Sequence, residues 1–111
     1  MSKQKKLSPV LPLYIEQEIA KMKNILRRYG ASKIILYGSL ARGDFRGDSD
    51  IDLCYEGIPD EKFFTVLADC IMTTAIPVSI INLNDAQGYL KQRILSEGTV
   101  LYEQERTGER N

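Results

Sequence analysis

No histidine occurs anywhere in the 111 residues. That absence removes every mechanism built on an imidazole base, a Ser/His or Cys/His nucleophile, or a histidine-ligated zinc. Cysteine is nearly as scarce: Cys54 and Cys70 are too few for the disulfide framework that staples small secreted domains, so a reducing, cytoplasmic compartment is expected. An excess of one charge is also missing, because 15 Lys+Arg balance 15 Asp+Glu. Recruitment to nucleic acid by bulk charge is therefore not expected. A sequence-specific nucleic-acid binder is not expected on the further ground that aromatic and basic residues do not interleave. No stretch reaches the roughly 18 apolar residues that span a bilayer. The short apolar run after Lys3, Lys5 and Lys6 is interrupted by Pro9 and Pro12, too early for the core of a signal peptide. The chain reads as soluble and unprocessed, with no membrane partner.

What the chain does have is a 43% share of hydrophobic residues, enough for one compact domain that buries roughly two thirds of its unfolded surface. Between Pro12 and Tyr29 the residues Ile15, Ile19, Met22, Leu26 and Tyr29 recur at the period of a helix with one buried face, ended by Gly30. Lys33 to Tyr37 is a short apolar run between glycines and predicts a buried strand. Gly38 to Ser49 reads as a turn and loop, with one helical turn at Leu40 to Arg42. Ser49 to Tyr55 alternates, Ile51 and Leu53 to one side and Asp50, Asp52 and Cys54 to the other, which predicts a second strand.

Pro59, Asp60 and Glu61 mark a helix start that Phe63, Val66, Leu67, Cys70 and Ile71 continue. Pro77 to Leu83 predicts a third strand. Asn84 or Asp85 then reads as the cap of a helix carrying Ala86, Leu90 and Ile94 and ending at Gly98. Thr99 to Tyr102 predicts a short fourth strand. The expected architecture is α/β (α+β), a mixed sheet of about four strands flanked by helices. An N-terminal extension is expected over 1–10, the folded domain over 11–102 and a loose charged tail over 103–111. The neutral total conceals an asymmetry: 1–33 carries eight bases and two acids, and 44–69 carries eight acids and two bases. The basic segment reads as a solvated helix face that is also suited to an acidic partner.

The acidic block holds the informative stretch, which runs from Gly38-Ser39 through Ala41-Arg42-Gly43 to Ser49-Asp50-Ile51-Asp52-Leu53. A glycine-serine corner after a strand lets a phosphate approach the backbone, where a hydroxyl and nearby N–H groups donate to it. Arg42 fits a phosphate contact there and equally an ordinary surface ion pair. In a strand the side chains of Asp50 and Asp52 share one face, and two adjacent carboxylates repel unless a cation neutralises them. Mg²⁺, which takes a few carboxylate oxygens together with substrate phosphates, is the natural choice, with Mn²⁺ as a substitute. Cys54, on the same side of the strand, reads as a small buried residue rather than a ligand.

Taken jointly, Gly38-Ser39 followed after ten residues by Asp50-x-Asp52 resembles the minimal nucleotidyltransferase (MNT) family of the DNA polymerase beta superfamily. The resemblance covers roughly 34–102. It implies the nucleotidyltransferase fold, with Gly38, Ser39, Arg42 and Ser49 on the nucleotide and Asp50 and Asp52 as the catalytic and metal-binding carboxylates. It also implies ATP or another nucleoside triphosphate as ligand. For a member this small, it implies a HEPN-domain helical toxin as partner, with the MNT protein acting as antitoxin; both a homo-oligomer and a hetero-oligomer are open. Family members usually supply a third carboxylate from the next core strand, in a segment like Val-Asp-Leu-Val. Here Val78-Ser79-Ile80-Ile81 puts Ser79 at that place. The site then has two carboxylates instead of three and lacks an evident proton acceptor, with Asp44, Asp48 and Asp85 as the nearby candidates to replace it. Two function classes follow: a transferase that moves AMP to a partner hydroxyl, and a catalytically weak or inactive nucleotide-binding protein that neutralises its partner by binding alone.

Overall fold

The computed structural model describes residues 10–44 and 46–105. Most of the expected extension (1–10) and tail (103–111) lie outside those residues, as does Phe45. Helix α1 spans Leu13–Arg28, and its apolar period places Ile15, Ile19, Met22, Ile25 and Leu26 in the core. Glu16 in its first turn and Arg27 and Arg28 in its last complement the helix dipole. Strand β1 (Lys33–Tyr37) follows, then the single helical turn α2 (Ser39–Arg42) and strand β2 (Ile51–Glu56). A 3-10 turn at Asp60–Lys62 leads into α3 (Phe63–Thr73), which is followed by β3 (Val78–Asn82), α4 (Gly88–Glu97) and β4 (Thr99–Glu103).

The four strands form one mixed sheet in the order β3-β2-β1-β4. β1 is antiparallel to both β2 and β4, and β2 is parallel to β3, a pairing that needs the α3 crossover between them. One face of the sheet carries Ile34, Leu36, Ile51, Leu53 and Ile80 and packs under α1 and α3, forming the larger core. The other face carries Ile35 and Cys54, covered by Leu83, Ala86 and Ile94 in a smaller cluster. That cluster covers only part of the face, and Ser79 on the edge strand stays exposed.

Two expectations need correction. Asn84 and Asp85 do not cap α4: the Asn82 side chain accepts from the Asn84 N–H, which closes a 3-10 turn at Leu83–Asp85, and the helix starts at Gly88. A local Asx hydrogen bond competes with helix extension and delays it by one turn. Ala86 therefore precedes the helix, and Leu90 is exposed. On α3 the apolar period overreaches, since Ile71 is exposed while Val66 and Cys70 are buried. The alternation in β2 holds: Ile51 and Leu53 face α1 and α3, and Cys54 is fully buried on the opposite side.

Candidate active site

β1 delivers the chain into Gly38, whose φ of 76° and ψ of −158° lie in a region that only glycine occupies comfortably. The turn brings the backbone of Gly38 against the side chain of Asp52. A Cβ built on Gly38 would stand 2.3 Å from Asp52 Oδ2 and 3.1 Å from Cγ, closer than any side chain tolerates. The glycine thus serves the site directly, because it makes room for a carboxylate at the corner. Ser39 opens α2, and Gly43 (φ 85°) ends it by turning left-handed. The Asp44 N–H donates back to the Ser39 carbonyl (2.9 Å).

The loop between α2 and β2 closes on itself through serines. Ser39 and Ser49, ten residues apart, are joined by a hydroxyl-hydroxyl hydrogen bond of 3.3 Å, and the Arg46 N–H donates to Ser49 Oγ at 3.0 Å. The sequence motif is therefore also a spatial ring, with its first and second halves held together at the base of β2.

Register completes the site. Asp52 is the direct partner of Tyr37 on β1 and of Ser79 on β3, so these three residues form a row across the sheet and share one face. Asp52 is half-buried, and its carboxyl sits above the ordinary carboxylate range. Loss of solvent is the main cause and the charge of Asp50 adds to it, while Arg42 pulls the other way. Asp50 itself is exposed one residue before the strand. The Tyr37 hydroxyl is pushed up to about 12 by burial and then by the Asp52 charge, opposed by a hydrogen bond with the Ser79 side chain. Sequence reasoning missed Tyr37, since its place beside Asp52 depends on antiparallel register, which no local pattern reveals. The Cys54 thiol is pushed up to about 12 by burial, which keeps it protonated and a poor ligand.

Arg42 makes the surface ion pairs that were one of its two expected roles. Its Nε pairs with Asp44 Oδ2 at 3.1 Å and its Nη1 with Glu97 Oε1 at 3.7 Å, while its charge acts on Asp52. Asp44 is thereby engaged by Arg42, and Asp85 follows β3 at the end that pairs with Tyr55, three residues along β2 from Asp52. A cavity of about 120 Å³ adjoins the corner, lined by Tyr37, Gly38, Arg42, Leu90, Arg93 and Glu97. A larger one of about 250 Å³ lies on the opposite face beside Ile19, Leu36 and Leu101, and its lining contains none of the motif residues.

Among the described residues no group of three or more His, Cys, Asp or Glu side chains converges as a metal centre. The donor set here is two carboxylates, the exposed Asp50 and the half-buried Asp52, whose carboxyl is raised first by loss of solvent and then by the charge of Asp50. That chemistry suits a hard divalent cation that draws its remaining oxygens from water and a phosphorylated ligand.

A model of the polymerase beta nucleotidyltransferase family matches residues 20–107. The chain belongs to that family. No curated protein matches it. Among solved structures, this nucleotidyltransferase is similar to a chain of a toxin-antitoxin complex with AMP-PNP, at 22% identity and a TM-score of 0.66 over 82% of this chain and 75% of that one. It is also similar to a chain of the complex of tri-AMPylated Shewanella oneidensis HEPN toxin with MNT antitoxin (18% identity, TM-score 0.63, 79% of this chain and 71% of that one). A candidate minimal nucleotidyltransferase matches at 23% identity and a TM-score of 0.63, over 77% of this chain and 93% of that one. These likenesses establish a shared fold, the mixed four-stranded nucleotidyltransferase sheet with flanking helices. No helix among the described residues is long and apolar enough to cross a membrane.

Proposed function

We propose that this nucleotidyltransferase binds Mg-ATP at the Gly38-Ser39 corner and pairs with a HEPN-type helical toxin as its antitoxin, with transfer of AMP weak or lost. The register of Ser79 beside Asp52 carries the reading. Neighbouring strands lie about 4.8 Å apart, so an aspartate at that position would add a third carboxylate to the pair, and the serine leaves only two. The nucleotide-contacting set is Gly38, Ser39, Arg42 and Ser49. Asp50 and Asp52 would hold the cation, which supplies charge neutralisation on the phosphates and polarises the phosphorus under attack.

Transfer of AMP to a hydroxyl forms an O–P bond, expels pyrophosphate and releases one proton that some group must accept. Ser79 is a neutral hydroxyl and no histidine exists. Tyr37, although adjacent, holds its own proton to about pH 12. The likeness to chains from complexes with AMP-PNP and with an AMPylated HEPN toxin supports both the ligand and the partner.

The test has two independent arms, calorimetric titration with Mg-ATP and transfer from labelled ATP in the presence of the partner. The expected result is binding that is lost in Asp52→Asn, slow or undetectable transfer by wild type, and transfer gained in Ser79→Asp. Fast transfer by wild type, unchanged in Ser79→Asp, refutes the loss of catalysis. Absence of Mg-ATP binding refutes the nucleotide reading. An occupancy-only antitoxin is the second reading, and the same serine favours it.

A further inference from the structure

The last residue of α4 stands where a carboxylate is electrostatically misplaced. Glu97 lies at the negative end of the helix dipole, a position that favours cations. It is held there by two guanidinium groups: Arg93 Nη2 at 3.2 Å and Arg42 Nη1 at 3.7 Å both reach the same oxygen, Oε1. Arg93 is steadied from behind by the ring of Tyr89, 5.6 Å from its guanidinium carbon, a cation-π distance. The following residue fixes the whole group against the sheet. A Cβ on Gly98 would meet Ile35 Cγ2 at 2.4 Å, so glycine lets the end of α4 sit directly on β1. Tyr37, Gly38, Arg42, Leu90, Arg93 and Glu97 then line one cavity of about 120 Å³ at the phosphate corner.

An anionic group bridging two arginines beside a glycine turn has the chemistry of a bound phosphate. We propose that Arg93 is a second polyphosphate-binding cation of this site and that Glu97 is an internal anion which a polyphosphate displaces from the Arg42–Arg93 pair. The proposal rests on the nucleotide reading above and deepens it. With Glu97 in place the two arginines are neutralised by Asp44 and Glu97. Displacing Glu97 releases Arg93 Nη2 and Arg42 Nη1, while Arg42 Nε keeps Asp44, and the released N–H groups then become available to phosphate oxygens. The ligand class is a polyphosphate, whether or not it carries a nucleoside.

The experiment is titration calorimetry on the full chain with two probes, Mg-ATP and magnesium-free tripolyphosphate, for wild type, Glu97→Gln, Arg93→Ala and Arg93→Lys. Removing the competing charge in Glu97→Gln is expected to tighten both probes about fivefold. Arg93→Ala is expected to weaken both about tenfold, with partial recovery in Arg93→Lys, which keeps the charge and loses the fork. If wild type binds Mg-ATP and Glu97→Gln binds it equally or more weakly, the displaced-anion inference is overturned while the nucleotide reading stands. If neither form takes Mg-ATP, the nucleotide reading falls. Tighter tripolyphosphate binding by Glu97→Gln then still upholds the anion exchange, and its absence overturns that too. Thermal unfolding of each variant runs in parallel. A lowered Tm of Glu97→Gln together with lost binding identifies the ion pair as structural and also overturns the inference.

Discussion

At Gly38 the backbone and the Asp52 carboxylate share a space that no side chain can enter, and the positive φ reinforces the same restriction. Gly38→Ala is therefore expected to cost about 1–3 kcal/mol of stability from strain alone and to abolish Mg-ATP binding by pushing Asp52 aside. Chemical denaturation and calorimetry measure the two losses separately. Asp52 makes the opposite trade. Its carboxyl is raised in the fold because burial and Asp50 disfavour the charge, so the folded state holds the proton more tightly than the unfolded chain. That contribution to stability is full below the unfolded carboxylate range and is lost as pH rises through the folded value. Asp52→Asn is accordingly expected to raise Tm at neutral pH without metal, by a margin that shrinks towards acid, while it eliminates Mg-ATP binding. An unchanged or lower Tm at neutral pH contradicts this account. At this scale the nearness of the glycine-serine corner to the acidic strand was legible in the joint motif, and the structure brings Gly38 against Asp52 and Ser39 to Ser49. Tyr37 was not legible, since tyrosine at a strand end is ordinary until pairing places it beside a carboxylate.

Elements were legible in proportion to how far their own residues decide them. β2 alternates cleanly, and α1 repeats its apolar face over four turns, so local pattern sufficed for both. The start of α4 depended on whether the side chain of Asn82 would bond the next turn, a competition between near-equal local options that composition cannot rank. α1 also carries a polar contact that no period reveals. Glu18 is buried and accepts from the Ala75 N–H at 3.0 Å and from Lys21 Nζ at 3.0 Å, which ties the helix to the segment joining α3 and β3. These bonds, that of Ala75 first, hold its carboxyl below the usual range of about 4.5. The stabilisation is thus present above the unfolded pKa and disappears as pH falls through the folded one. Glu18→Ala is expected to lower stability by about 1–2 kcal/mol at pH 7 and by progressively less below pH 4. Urea unfolding at several pH values gives the comparison. Parallel curves for variant and wild type across that range would remove the carboxylate from the explanation.

For the molecule as a whole, α1 and α3 pack the larger core against one face of the sheet, and the other face is covered only in part, with Ser79 exposed and Asp52 half-buried. A mixed sheet with flanking helices was legible in the element sequence, whereas the strand order β3-β2-β1-β4 and the parallel β2-β3 pair joined through the α3 crossover are tertiary choices that it did not reveal. The degree to which α4 shields the second face follows from tertiary packing and was hidden. Under the proposed antitoxin role, an open carboxylate edge would serve either class, because a partner segment could be modified there or simply held. The two classes differ in what neutralisation requires. If AMP transfer silences the helical partner, Asp50→Asn and Asp52→Asn must both fail to protect cells that express it, although a complex still forms. If occupancy suffices, both variants protect as well as wild type, and loss of protection follows only from substitutions that break the complex. With Ser79 beside Asp52, the expected outcome is protection by all three proteins in co-expression, together with a stable complex on size exclusion. Protection by wild type alone would overturn the occupancy reading and show that neutralisation needs both Asp50 and Asp52.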